Sequence, residues 1–395
     1  MEAPDNLLIL GAGIWQKPYL QQAQTMGCRV YACDWSVKPA AKQQAHVFEQ
    51  IDLKDTSKVL QFAYKHKIDG IISPADIGVP AAALVAEKLQ LPFHSTKLAL
   101  YATNKYRMRK KARQIGMTVP KFMLVSTIHE AVAASREIGY PFIIKPTDNC
   151  SSRGVFVINN KNELNIRFSD SIKASFENKI LIESLAIGTE GSIEAVIQNN
   201  IVTILGICDK IKSPLPYRYD LQLNYPGNYT HKQYEQLEYL VNKLVSGFNI
   251  KAGMLHIEFI ILNNKVTLIE FGLRGCGSNV MTHLIPAMTG FNTTEFAIKQ
   301  SLNKNTSIDI QTNLCGILKF FSLKNGVIKS IQGEDRAKKV DGIVDLNIEK
   351  RKGDAIGHIK NGRDRPGYCI AVGKTLKKVE KSISIAESKI KINYL

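Results

Sequence analysis

HIEFIILNNKVTLIEFGLRG, residues 256–275, decides how the middle of this chain folds. Two apolar runs flank Asn263 and Asn264, a pattern that predicts two antiparallel strands and a tight turn. A three-residue loop, 263–265, would set Leu262 against Val266 and, counting outward, Glu258 directly opposite Glu270. Like charges opposed on one sheet face repel. A divalent cation makes such a pair favourable, because Mg²⁺ normally takes one or two carboxylates together with phosphates and water. The competing reading is an edge hairpin whose acids point into solvent. Arg274, four residues past Glu270, offers a planar fork suited to a phosphoryl group or an acyl phosphate.

Upstream of the hairpin, apolar residues recur at helical spacing over 231–249, which predicts a helix packed on a core. Further back, YPFIIKPTDNCSSRGV (140–155) ends an apolar strand in Lys145-Pro146 and continues into a polar loop with Asn149, Ser151, Ser152 and Gly154. Loop amides and hydroxyls with a lysine at the strand end form a phosphate cradle, although no GxxxxGK[ST] is present; a surface loop after a buried strand is the bland alternative. In KILIESLAIGTEGS (179–192), Glu183 stands at the end of an apolar strand and Glu190 seven residues on. The exposed backbone beside such a strand can bond an adenine edge and a carboxylate can accept from ribose hydroxyls, the alternative being solvated loop acids. A helix over 104–115, capped by Thr103 or Asn104 and stopped by Gly116, puts Lys105 and Arg109 on one face.

The first hundred residues alternate short apolar strands (LLILGAG, CRVYACD, IDGIISP) with helical stretches, the pattern of a parallel sheet. Asp34 follows Gly11 and Gly13 at about the spacing of a dinucleotide site, but Gln16 replaces the third glycine, so a tight strand-to-helix turn is the reading adopted. After residue 306 come strand-like pieces and one helix, 374–388, an α+β appendix. The chain has 395 residues, room for two or three domains, with ordinary proportions of hydrophobic (45%) and charged (22%) residues that exclude a disordered class. Its net charge is +17, but only short basic clusters occur and none alternates with aromatics, which disfavours nucleic acid as a partner. Seven scattered cysteines without a CxxC pair fit a reducing cytosol, hence a cytoplasmic protein. No signal-peptide pattern or membrane-length apolar run is apparent, so no membrane partner is expected.

The order and spacing of these pieces resemble the ATP-grasp superfamily, in its biotin carboxylase and L-amino-acid ligase branch, over nearly the whole chain. The resemblance implies a mixed α/β and α+β fold: a Rossmann-like domain (1–103), an ATP-grasp core (104–305) with a lid at about 118–182, and a small C-terminal α+β domain (306–395). It implies ATP and Mg²⁺ or Mn²⁺ as cofactors. Lys105, Lys145, Ser151, Ser152, Gly154, Glu183, Leu185, Ala186 and Glu190 would hold ATP, Glu258 and Glu270 the metal, and Arg274 with Lys145 would act in catalysis. Arg274, Asn279 and His283, with Asp76 nearby, are candidates for substrate contact, and Lys319 is a further one. The implied reaction joins a small carboxylate to an amine through an acyl phosphate, releasing ADP and phosphate. A bicarbonate-using carboxylase and an inactive ATP-binding module are the alternatives, and a homo-oligomer stays open. The family pattern Glu-x-Asn-x-Arg reads Glu270-Phe271-Gly272-Leu273-Arg274 here, so one oxygen ligand is missing, and the lid loop has fewer glycines than the family's.

Overall fold

Short apolar runs separated by helices build a four-stranded parallel sheet at the N-terminus, in the order Val47–Gln50, Arg29–Asp34, Asn6–Leu10, Gly70–Ile72, in a computed structural model that describes residues 4–149, 153–214, 217–304 and 306–395. Leu7 and Ile9 enter one core while Leu8 and Leu10 enter another, so the first strand is apolar throughout because both faces are covered. Asp34 is spent on the turn itself: its carboxylate accepts from the amides of Ala12 (2.8 Å) and Ser36 (2.9 Å). Gln16, at the position of the missing glycine, accepts from Gly13 N at 3.1 Å.

The helix Lys105–Gln114 follows, with Asn104 as its N-cap accepting from Arg107 N. It leads into a second, antiparallel sheet ordered Phe122–Val125, Ile180–Ser184, Phe142–Pro146, Phe156–Ile158, with its own core of Phe142, Ile144, Leu164 and Ile182 under the helices Ile128–Ile138 and Lys161–Lys173. Gly154 turns the chain there at φ 71°, and a Cβ would stand 2.7 Å from Ala174 Cβ and 2.9 Å from Pro146 Cγ. Both the left-handed backbone and the close packing require glycine.

Eight strands form the long sheet: Lys265–Gly272, Gly253–Leu262, Thr189–Gln198, Ile201–Lys212, Asp220–Tyr225, Cys315–Phe320, Gly367–Gly373 and Ile343–Ile348, in that spatial order. The helix His231–Phe248 buries Leu237, Val241, Leu244, Val245 and Phe248 against one of its faces, as the spacing predicts, and starts on a Thr230–Gln233 capping box. The sheet runs without a break into the C-terminal segment, Gln222 pairing with Lys319. Lys319, a candidate for substrate contact, does not line the cleft: it pairs with Glu387 of the helix Leu376–Lys389 at 2.7 Å.

The hairpin differs in detail from the sequence reading. Its loop is two residues, with Leu262 opposite Lys265, and Asn263 takes φ 50°. That register alone would pair Glu258 with Ile269 and turn Glu270 toward the other face. A bulge between Glu258 and Phe259 on one strand and Leu268 and Glu270 on the other absorbs Ile269, so Glu258 pairs with Glu270 after all.

Candidate active site

Between the antiparallel sheet that holds Phe142–Pro146, in the segment expected as a lid and hence the lid sheet, and the long sheet lies a cleft of about 290 Å³. Lys105, Lys145, Glu183, Leu185, Ala186, Glu190, Glu258, Glu270 and Arg274 all line it. Residues from a helix, the lid sheet, a hinge segment and the hairpin thus meet in one place. Ser151 and Ser152 lie outside the described residues. Gly154 does not line the cleft; its carbonyl accepts from Ser171 Oγ at 2.7 Å inside the lid, while its neighbour Val155 reaches the wall. Asn279 and His283 are also off the wall, just past Gly277 and Ser278, which line it. Asn279 Nδ2 donates to Asp345 (3.0 Å) and Tyr368 (2.9 Å), and His283 shares a hydrogen bond with Thr282.

Glu183 is 1% exposed and serves two cations at once: Arg109, itself fully buried, donates to it at 2.6 Å, and Lys145 Nζ contacts its other oxygen. Burial alone would raise this carboxyl, but Arg109 and Lys145 together outweigh it and hold it below the usual range. Burial pushes the Lys145 ammonium down, with Glu183 opposing. Glu190, expected to accept from ribose hydroxyls, is engaged by Lys212 (2.7 Å) and Arg218 (3.1 Å).

The opposed pair is quenched by lysines. Lys210 donates to Glu258 at 2.5 Å, and Lys105 stands 3.1 Å from Glu270 while donating to Asn149 O at 2.7 Å. Burial would raise the Glu258 carboxyl, yet Lys210 and His256 keep it well below the usual range. The carboxylates therefore do not depend on a cation alone for tolerance. Glu258 and Glu270 face one cleft with hard oxygen donors, a set that fits Mg²⁺ or Mn²⁺ rather than a soft metal.

Several residues in or directly behind the cleft carried no motif. Lys210 and Lys212 are two apart on the strand Ile201–Lys212, so the run DKIK puts both on one face, a signal that alternation alone could have given. His256 precedes Glu258 by the same spacing. Its Nδ1 lies 2.7 Å from Glu194 Oε1, whose second oxygen accepts from Cys276 N at 3.0 Å. Burial would lower the imidazole, but Glu194 and Cys276 hold it well above its ordinary range. Donor atoms of Glu194, His256 and Cys276 lie within 4.8 Å of one another beside the acid pair. Arg365, from the C-terminal segment, also lines the cleft and stacks over Phe320 at 3.4 Å; nothing in the sequence singles it out.

Residues 138–283 match the ATP-grasp domain family, and residues 319–394 match L-amino acid ligase C-terminal domain 2. The fold is similar to the L-amino acid ligase from Bacillus licheniformis (20% identity, 100% of each chain covered, TM-score 0.86). It is also similar to phosphoribosylglycinamide synthetase from Anaerococcus prevotii (19%, 100% of each chain, 0.79) and to N5-carboxyaminoimidazole synthetase from Staphylococcus aureus complexed with ADP (18%, 98% of each chain, 0.76). The cleft between two sheets, one of them bearing paired acids, and the match over residues 138–283 lead to one assignment: this chain carries an ATP-grasp domain, followed by a C-terminal segment that matches an L-amino acid ligase domain.

Proposed function

We propose that this protein is an ATP-dependent carboxylate–amine ligase that forms an amide bond through an acyl phosphate. The observation that carries the reading is the single cleft in which Lys145, the Leu185–Ala186 backbone and the opposed Glu258 and Glu270 converge. In this reading the adenine edge lies along residues 183–186, where backbone groups can bond it and Glu190 takes the ribose. Lys105 and Lys145 neutralise phosphate oxygens, and Glu258 and Glu270 hold the divalent cation. When bound, that cation supplies charge neutralisation for the phosphates.

A carboxylate oxygen of the substrate attacks the γ-phosphorus, an O–P bond forms and the bond to the β-phosphate oxygen breaks, leaving ADP. The amine then attacks the activated carbonyl carbon, a C–N bond forms, phosphate departs and the amine's proton passes to phosphate or water. The protein's share is positioning and electrostatics, with Lys145 and Arg274 facing the charge that develops in transfer. Closure of the lid sheet keeps water from the acyl phosphate.

The match of residues 319–394 to an L-amino acid ligase domain favours amide formation over carboxyphosphate chemistry. We also infer a cytosolic setting, which the unpaired state of every described cysteine supports. The test is ADP release with Mg-ATP against crossed pools of amino acids, other small acids and amines, with bicarbonate as a separate arm and mass spectrometry of products. ADP release that requires both an acid and an amine supports the proposal; bicarbonate stimulation without amine replaces it with the carboxylase reading. Glu270→Gln is expected to abolish Mg²⁺-dependent ADP release while leaving the melting temperature near wild type. Unchanged turnover removes Glu270 from the metal site.

A further inference from the structure

Glu270 and Gly272 are spaced by two at the end of the strand Lys265–Gly272 and so share a face, Arg274 follows in the bend beyond it, and the middle position has no side chain. Backbone conformation does not demand a glycine there, because Gly272 is not among the residues at positive φ. Space does. A Cβ on residue 272 would stand 2.9 Å from Asp76 Oδ1, closer than real Cβ contacts, so any larger residue displaces that carboxylate.

Asp76 comes from far away in sequence, in the turn that follows the strand Gly70–Ile72 of the N-terminal sheet. Its carboxylate grips Arg274 at two points, Nε to Oδ1 at 2.9 Å and Nη2 to Oδ2 at 2.5 Å. Asp76, Lys105, Glu270, Gly272 and Arg274 line a common second cavity of about 260 Å³ that adjoins the cleft. We propose that Asp76 stands in for the missing side chain at 272: it fills that volume, brings a carboxylate oxygen to the face that carries Glu270, and fixes Arg274. The cation end of the site is then complete only when the N-terminal sheet is docked on the long one. The inference rests on the divalent-cation reading given above.

It is tested on the full chain loaded with ADP, by titrating Mn²⁺ and following free Mn²⁺ by electron paramagnetic resonance. Asp76→Ala is expected to weaken Mn²⁺ binding by about 10- to 100-fold, the usual consequence of losing a group that supports a metal site. Gly272→Asn alone collides with Asp76 and weakens it too, whereas Asp76→Ala/Gly272→Asn regains most of the loss, because the asparagine enters the vacated space. Asp76→Asn keeps the size and an oxygen, stays folded, and is expected to lie between wild type and Asp76→Ala. Unchanged Mn²⁺ affinity in Asp76→Ala overturns the inference and leaves a plain interdomain ion pair. A double variant no better than Asp76→Ala overturns it as well. ADP binding without metal is the separating control: retained ADP binding with failed rescue sinks only this inference, while no ADP binding by wild type sinks the nucleotide reading itself.

Discussion

Glu183 holds two buried cations, Arg109 and Lys145, so the three side chains carry one net positive charge inside the protein. The two obvious substitutions then differ in sign. Removing Lys145 leaves a neutral Arg109–Glu183 pair, whereas neutralising Glu183 leaves two unpaired cations out of water. Breaking a buried pair in that way costs about 3–5 kcal/mol. Glu183→Gln is accordingly expected to lower the urea midpoint by the equivalent of that cost. Lys145→Ala is expected to leave stability close to wild type and to weaken ATP binding, read by calorimetry; wild-type ATP affinity in that variant contradicts the phosphate role. Lys145 at a strand end and Glu183 at the next were both legible as candidates. Arg109 was visible only as a helix neighbour of Lys105, since its partner lies 74 positions away.

At the scale of elements, alternation and capping were informative and register was not. The helix His231–Phe248 shows its buried stripe in the sequence, and Asn104, one of the two caps expected for the helix Lys105–Gln114, is the one observed; the Thr230 cap appears only in the structure. Thr230→Ala removes an acceptor for Gln233 N, and a cap of this kind contributes about 1 kcal/mol. A fall of that size in unfolding free energy, without change in the denaturant slope, is the expected result. The hairpin is the opposite case. Counting predicted the right partner for Glu258 through the wrong loop length, and the bulge at Ile269 corrected the count. A bulge depends on how the strand packs on both sides, and no local residue type announces it.

Over the whole molecule, the N-terminal sheet and the long sheet enclose a cavity of about 350 Å³ whose wall includes His94, Phe93, Leu98, Met254 and Leu273. Burial pushes the His94 imidazole down to about 4. A depressed histidine stays neutral in the native state while the unfolded chain takes up a proton below about 6.5. Stability therefore falls as pH drops from about 6.5 to about 4, by at most ~3 kcal/mol, because His94 is only partly buried. His94→Gln is expected to flatten that part of the profile, measured as urea midpoints at a series of pH values; an unchanged slope assigns it to other groups. Among the described residues no helix is long and apolar enough to cross a membrane.

The sequence by itself determined the strand and helix periods, the paired acids on one hairpin, and the order of lysine, hinge acid, acid pair and arginine along the chain. These depend on neighbours two to four residues apart, which the backbone periods tie together. Tertiary structure decided which cation meets which carboxylate, that Asp76 occupies the room beside Gly272, that Lys319 faces a helix, and that Arg365 reaches the cleft. Those contacts join segments up to about two hundred residues apart, and their partners are fixed by how the sheets stack rather than by any spacing in the chain.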